Sequence, residues 1–250
     1  MLTFFKLSFL LIFTPTKSMR YSTRLFSKKR DIENNTIYSP KTVNQENYLK
    51  SLQNSDIDLL FCVGPAGTGK TLFACQYAIK QLQYNNINKI VITRPMIAIE
   101  ENMGFLPGDI KEKMHPWTIP IFDIFEECYS RKDINSMITN NIIEIAPLGF
   151  MQGRTFKNSF IIADEMQNSS PNQMFMLLTR FGDNSKMIIT GDPMQTINEN
   201  NGLNDIITKL NIGYYSENEM NEDKIKIIKM NNDDIQRHHI VSKISNLYNN

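Results

Sequence analysis

The segment Asp58-Leu59-Leu60-Phe61-Cys62-Val63-Gly64-Pro65-Ala66-Gly67-Thr68-Gly69-Lys70-Thr71 decides the fold of this chain. It begins as an apolar strand, continues as a glycine-rich loop and leads into a stretch with helical periodicity, Leu72 to Leu82. Strand, loop and helix in this order form a phosphate cradle, because glycines let successive backbone N–H groups converge on phosphate oxygens. The sequence therefore predicts a nucleoside triphosphate site.

The residues of this loop have different expected roles. The ammonium of Lys70 is placed to reach the β- and γ-phosphates, and the hydroxyl of Thr71 is placed to ligate Mg²⁺. The residues before them supply the cradle itself: Gly64, Pro65, Ala66, Gly67, Thr68 and Gly69.

A second apolar strand, residues 159–163, ends in two carboxylates, Asp164 and Glu165. We expect Asp164 to hold the Mg²⁺ opposite Thr71, directly or through water. Glu165 would then point toward the γ-phosphate and orient or deprotonate the attacking water. Together with the loop, this pair predicts hydrolysis of the bound nucleotide.

Two glutamines complete the expected nucleotide site. Gln195 follows the strand end Thr190-Gly191-Asp192 and suits a γ-phosphate sensor, while Asp192 either serves the site or caps the following turn. Gln45 lies upstream of the loop and is placed to read the adenine edge, the alternative being an exposed helical glutamine.

Phosphoryl transfer also needs positive charge at the departing phosphate, usually from an arginine. Each candidate lies near a predicted strand or helix end and has a structural ion pair as its alternative: Arg94, Arg154, Arg180 and Arg237. We expect Arg180 and Arg237 to contribute to catalysis.

Apolar strands alternate with helical patterns from Asn44 onward. The predicted strands are 58–63, 88–93, 142–146, 159–163, 186–190 and 224–230. The predicted helices are 44–53, 70–83, 118–129, 131–139, 171–181, 202–211 and 238–248. Several strands are continuous apolar runs, as in a parallel sheet covered on both faces. This pattern predicts a three-layer α/β domain over residues 44–250, preceded by a polar linker, 31–43.

The first thirty residues differ from the rest in charge. They carry seven of the 27 Lys and Arg and none of the 26 Asp and Glu, so the remainder has a balance of −6. Three readings stay open: an organellar presequence, a secretory-type signal or a disordered basic tail. The apolar run 7–13 is too short for a membrane span, and three unpaired cysteines favour a reducing compartment, organellar or cytoplasmic.

These motifs together resemble the PhoH-like family of P-loop ATPases, relatives of the superfamily-one helicase core. The resemblance covers roughly residues 42–248. Besides the segments already quoted, its blocks are Thr93-Arg94-Pro95, Gly104-Phe105-Leu106-Pro107-Gly108-Asp109, Ile145-Ala146-Pro147-Leu148, Gly153-Arg154-Thr155, Asp164-Glu165-x-Gln167-Asn168, Leu178-Thr179-Arg180 and Arg237-His238. The resemblance implies a RecA-like fold, ATP with Mg²⁺, oligomeric rings acting on RNA, and Lys70, Thr71, Asp164, Glu165 and Gln195 as the catalytic set.

Three functions follow from this reading. The first is an ATPase coupled to RNA, with a neighbouring subunit of a ring donating the arginine. Its RNA would contact a local basic patch: Lys111, Lys113, Arg154 and Lys157. The second is an ATP-driven switch that binds a protein partner through the segment 114–122. The third is a small-molecule kinase, which Gln195 disfavours.

Overall fold

The computed structural model describes residues 38–95, 110–196, 201–236 and 240, with no side chains described for 110–117. The strands are β1 (Leu59–Val63), β2 (Lys89–Arg94), β3 (Ile143–Pro147), β4 (Ser159–Ala163), β5 (Lys186–Gly191) and β6 (Ile225–Lys229). The α-helices are α1 (Val43–Gln53), α2 (Lys70–Gln83), α3 (Ile110–Glu126), α4 (Arg131–Thr139), α5 (Pro171–Leu178), α6 (Gly202–Gly213) and α7 (Glu217–Glu222). Short 3₁₀ helices span Leu148–Met151, Met166–Asn168 and Asn232–Asp234.

The strands form one parallel sheet in the order β3-β2-β4-β5-β1-β6. Strand β5 therefore lies between β1, which leads into the glycine-rich loop, and β4, which leads into the acidic pair. Because all carboxyl ends of parallel strands meet at one edge, the loop, the acidic pair and the end of β5 lie side by side.

Side chains alternate between two cores along each strand. On one face, residues such as Cys62, Ile92 and Ile162 pack with α1–α4. On the other face, residues such as Phe61 and Ile161 pack with α5, α6 and α7. A sheet buried on both faces explains the continuous apolar runs, and it confirms the predicted three-layer, RecA-like α/β fold.

All six predicted strands are present with bounds within one residue of the prediction. The helices differ more. Helix α3 begins at Ile110 rather than 118 and continues through Pro116 and Pro120, although proline usually marks a helix start. Helix α5 ends at Leu178 rather than 181, and the short polar helix α7 was not predicted. The predicted helix 238–248 lies outside the described residues.

Among the described helices, none has the length and apolar character needed to cross a membrane.

Candidate nucleotide site

The glycine-rich loop is held in a shape that its glycines alone permit. Gly64, Gly67 and Gly69 all have positive φ, at 143°, 83° and 89°. At Gly64 an added Cβ would lie 2.4 Å from the carbonyl oxygen of Met230, just beyond β6. The loop therefore packs against the backbone that follows β6, and it places its N–H groups at the start of the 14-residue helix α2.

Lys70 lies inside this loop. Its Nζ donates to the carbonyl oxygens of Gly64 at 2.6 Å and Pro65 at 2.7 Å. Burial lowers the pKa of Lys70, while nearby acidic groups, among them Asp192 and Glu165, act in the opposite direction. The ammonium is thus already at the cradle, held by backbone oxygens that a phosphate group would replace as its partners.

The predicted metal ligands are brought together. The hydroxyl of Thr71 donates to Oδ1 of Asp164 at 2.6 Å, and the hydroxyl of Thr190 donates to the same oxygen at 2.6 Å. Asp164 is buried. A hydroxyl and a carboxylate are the hard oxygen ligands that Mg²⁺ takes from nucleotide-binding proteins, with phosphates and water completing the shell. These residues therefore fit Mg²⁺ chemically.

Glu165 follows immediately, on a backbone in the left-handed region (φ 56°, ψ 39°). Its Oε1 lies 3.2 Å from Nη2 of Arg94, and its Oε2 accepts a hydrogen bond of 2.5 Å from Nε2 of Gln167. Nη2 of Arg94 also lies 3.9 Å from Oδ2 of Asp164. Both oxygens of the expected water-orienting carboxylate thus have partners within the chain.

Gln167 connects this carboxylate to the end of β5. Its side chain is 2% exposed, and its Oε1 accepts a hydrogen bond of 3.1 Å from the backbone N–H of Asp192. Asp192 in turn accepts a hydrogen bond of 3.0 Å from the N–H of Met194, which is the turn-capping role. Gln195 is exposed on this turn, so its γ-phosphate contact stays a prediction.

Gln45 is not placed as we predicted. The side chain is 1% exposed, and its Nε2 donates to the carbonyl oxygens of Thr68 at 3.1 Å and Asp234 at 3.2 Å. Its Oε1 accepts from the N–H of Lys41 at 2.8 Å. Since both amide N–H groups hold protein oxygens, the structure assigns Gln45 to bracing the loop rather than to reading adenine.

Asp234 anchors this brace from the other side. Its carboxylate accepts hydrogen bonds from Thr42 at 2.5 Å, from Asn44 at 2.8 Å and from the N–H of Asn231 at 2.8 Å. Burial raises the pKa of Asp234, but these hydrogen bonds outweigh it and the net shift is downward. The buried carboxylate thereby ties the start of α1 to the segment after β6.

Two of the four candidate arginines lie at the wrong edge of the sheet. Arg154 pairs with Glu144 through both of its terminal nitrogens, the longer contact being 2.9 Å. Arg180 donates to the carbonyl oxygens of Met176 and Arg154, at 3.1 and 3.2 Å, next to the segment that enters β4. Within its own chain the Arg180 guanidinium supports the end of α5 at the amino edge, away from the site, so its contribution to the site of a neighbouring subunit stays a prediction.

The structure describes only part of the predicted RNA-contacting patch and of the predicted partner segment. Lys157 pairs with Asp183 at 3.0 Å, and the side chains of Lys111 and Lys113 lie outside the described part, as does Arg237. The segment 114–122 lies within helix α3. Side chains are described there for residues 118–122, and that of Ile121 is buried in the core.

Three contacts of the site were missed from sequence: Gln167 with Glu165, Thr190 with Asp164, and Asp234 with the start of α1. Their residues stand inside or beside motifs already quoted, so the positions were visible. Gln167 stands two residues from Glu165, but the partners in the other two contacts come from distant parts of the chain and only the fold brings them together.

Comparison with known proteins gives the family. The sequence profile of the PhoH-like protein family matches residues 37–249. This chain belongs to the PhoH-like family. It is 40% identical over 210 residues to a PhoH-like protein of Bacillus subtilis, covering 83% of this chain and 63% of that protein. It is 44% identical over 160 residues to a PhoH-like protein of Synechocystis, covering 64% and 48%.

A protein PhoH of Escherichia coli K12 is 39% identical over 153 residues, which cover 60% of this chain and 43% of that protein. The chain thus spans about half of the length of these relatives. Among solved structures, the Pif1 helicase of Candida albicans aligns over 84% of this chain and 44% of its own, with a TM-score of 0.35 and 14% identity. The P-loop fold assignment here therefore rests on the sheet order and the glycine-rich loop.

Proposed function

We propose that this PhoH-like protein is a Mg²⁺-dependent ATP hydrolase that is coupled to RNA and acts as an oligomer. The observation that carries the proposal is the juxtaposition of Thr71, Asp164 and Glu165 beside a loop that holds Lys70. Thr71 and Asp164 are hydrogen-bonded, Glu165 follows directly, and all three lie at the carboxyl edge of one parallel sheet, which supports the roles proposed for them.

The residues divide the work of hydrolysis among them. Backbone N–H groups of the loop and the ammonium of Lys70 bind and orient the triphosphate. Thr71 and Asp164 would hold Mg²⁺, which when bound neutralises charge on the phosphate oxygens. Glu165 orients the attacking water and accepts its proton, while Gln195 contacts the γ-phosphate from the exposed turn after β5.

The finer parts of the proposal have different support. ATP is preferred over GTP on family resemblance alone, since Gln45 braces the loop. RNA and the ring likewise come from the resemblance. Arg94 is already at the site of its own chain, so the described geometry does not require a neighbouring subunit to supply an arginine.

A protein-directed switch is the second candidate, favoured by the balance of −6 outside residues 1–30 and by the ion pairing of Arg154 and Lys157. Such a surface offers little broad electrostatic attraction to nucleic acid. The two candidates predict different responses of hydrolysis to RNA.

The first test measures phosphate release from ATP by the full chain, with and without single-stranded RNA. Lys70→Ala supplies the blank, and Lys209→Ala supplies a matched control, because Lys209 is exposed on α6 and pairs with Asp205 in the preceding turn. Strong stimulation by RNA supports the coupled ATPase. Slow hydrolysis that ignores RNA supports the switch, and release no faster than the Lys70→Ala blank overturns the hydrolase.

A further inference from the structure

The Glu165 carboxylate is restrained from two sides, and the two restraints differ in kind. Gln167 is a buried neutral amide that is itself fixed to the backbone at the end of β5. Arg94 is a charged group whose side chain remains 26% exposed. A partly exposed cation can exchange partners with a ligand from solvent, whereas a buried amide bonded to the backbone cannot do so without moving that backbone.

Arg94 stands where such an exchange would matter. It is the last residue of β2, and the preceding residue, Thr93, pairs with Ala163 at the end of β4. A single nitrogen, Nη2, lies within 3.2 Å of Glu165 and 3.9 Å of Asp164. The guanidinium therefore lies beside both carboxylates of the expected hydrolytic centre, at the carboxyl edge of the sheet, and offsets part of their negative charge.

We propose that Arg94 is a releasable restraint on Glu165, which passes from the carboxylate to a phosphate group when a phosphate-bearing ligand arrives. The inference rests on the proposed function, since it describes how hydrolysis in this site would be regulated. The terminal phosphate of a nucleotide offers a guanidinium more charge and more acceptor oxygens than a carboxylate does, and a backbone phosphodiester offers an equivalent bidentate, charge-assisted contact, so either can take the place of Glu165. Glu165 then keeps the Gln167 contact on Oε2 and turns Oε1 toward the water.

The phosphate has two possible sources with the same chemistry. One is the terminal phosphate of ATP, and the other is a backbone phosphate of a bound polynucleotide. In either case the ligand competes with Glu165 for one guanidinium. Removing the carboxylate should therefore tighten binding of that ligand, and the gain should depend on Arg94.

A double-mutant cycle on the full chain tests this dependence without measuring hydrolysis. The wild type, Glu165→Gln, Arg94→Ala and the double variant are titrated with ATPγS, with ADP and with a single-stranded oligouridylate. We expect Glu165→Gln to tighten binding about tenfold in one arm, as a freed charge-assisted contact would. In the Arg94→Ala background the same substitution should have little effect.

The arm that shows the coupling identifies the source. Coupling for ATPγS but not for ADP points to the terminal phosphate, and coupling for the oligouridylate points to the polynucleotide. A gain of equal size in both backgrounds reflects loss of negative charge alone and overturns the proposal. So does the absence of any gain for all three ligands.

A matched cycle guards against nonspecific charge effects. Arg131 and Glu126 form the same kind of pair at 2.6 Å, with Arg131 81% exposed, where α3 gives way to α4. Glu126→Gln and Arg131→Ala should leave all three affinities unchanged, and urea unfolding of each variant verifies that it is folded. If the Glu165 and Arg94 substitutions are coupled but the chain hydrolyses no ATP, the exchange of partners by Arg94 stands and the proposed hydrolase function is overturned. If the chain hydrolyses ATP without this coupling, only the exchange is overturned.

Discussion

Glu165 is the residue on which the proposed chemistry depends most. Replacing it by Gln keeps the size and the hydrogen bond to Gln167 but removes the group that accepts the proton of the attacking water. We expect Glu165→Gln to lower kcat by about 10² or more while ATP is still bound. Single-turnover phosphate release, together with titration of a fluorescent ATP analogue, measures the two effects separately. Unchanged turnover would remove Glu165 from this role.

Much of the site could be predicted because its residues are contiguous in sequence. Lys70 and Thr71 belong to one loop, and Asp164 and Glu165 end one strand, so local pattern was sufficient. The arginines show where pattern failed. Arg94 ends a strand and must lie at the carboxyl edge of a parallel sheet, whereas Arg154 and Arg180 precede strands and must lie at the amino edge. The predicted strands already showed which arginines follow a strand and which precede one. Assigning each arginine to an edge required the further step of treating all strands as parallel.

At the scale of elements, the turn from β1 to α2 has little tolerance for an added side chain at Gly64. Gly64→Ala would place a methyl group 2.4 Å from the Met230 carbonyl oxygen, at a φ of +143° that a side chain rarely adopts. We expect a loss of about 2–3 kcal/mol in the free energy of unfolding, from overpacking against backbone that cannot move aside. Urea denaturation followed by circular dichroism measures it.

Two other glycines separate the causes of that loss. Gly153 has a φ of +76° with nothing within 4 Å of an added Cβ, and Gly149 has the same open space without a positive φ. Gly153→Ala should cost about 1–2 kcal/mol from backbone conformation alone, and Gly149→Ala should stay within about 0.5 kcal/mol. If Gly64→Ala destabilises no more than Gly153→Ala, the steric argument for the turn is wrong.

The elements themselves were predicted unevenly, for physical reasons. Several strands, such as β1 and β4, are continuous apolar runs that a sheet covered on both faces buries, and all six strands were predicted to within one residue. Helix boundaries depend on caps and packing instead. Helix α7 has a single buried apolar residue, Met220, so its pattern resembles a loop. The helix α3 was predicted to begin at 118 and not at Ile110, because a proline such as Pro116 usually marks the start of a helix.

At the scale of the whole molecule, the two edges of the sheet hold different kinds of residue. The carboxyl edge gathers the groups of the nucleotide site, and the amino edge holds ion pairs that stabilise the fold. The principal one joins Glu144 on β3 with Arg154 and with Lys89 at the start of β2. Hydrogen bonding from Arg154, with smaller help from Lys89, lowers the pKa of Glu144 to about 2 against a burial effect that raises it.

This shift makes the stability of the whole domain sensitive to acid in a defined window. A carboxyl whose pKa is 4.5 when unfolded and about 2 when folded stabilises the fold above pH 4.5 and loses that contribution as the pH falls toward 2. Arg154 is 37% exposed, and solvent screening reduces the effect, so we expect about 1–2 kcal/mol. Glu144→Gln should therefore be less stable at pH 7 and lose less of its free energy of unfolding between pH 5 and pH 2, in urea titrations across that range.

Asp183→Asn is the matched control, because Asp183 is 80% exposed in its pair with Lys157, and it should change stability by no more than about 0.5 kcal/mol. Parallel pH profiles for the wild type and Glu144→Gln would show that the acid sensitivity of the domain arises from other carboxylates.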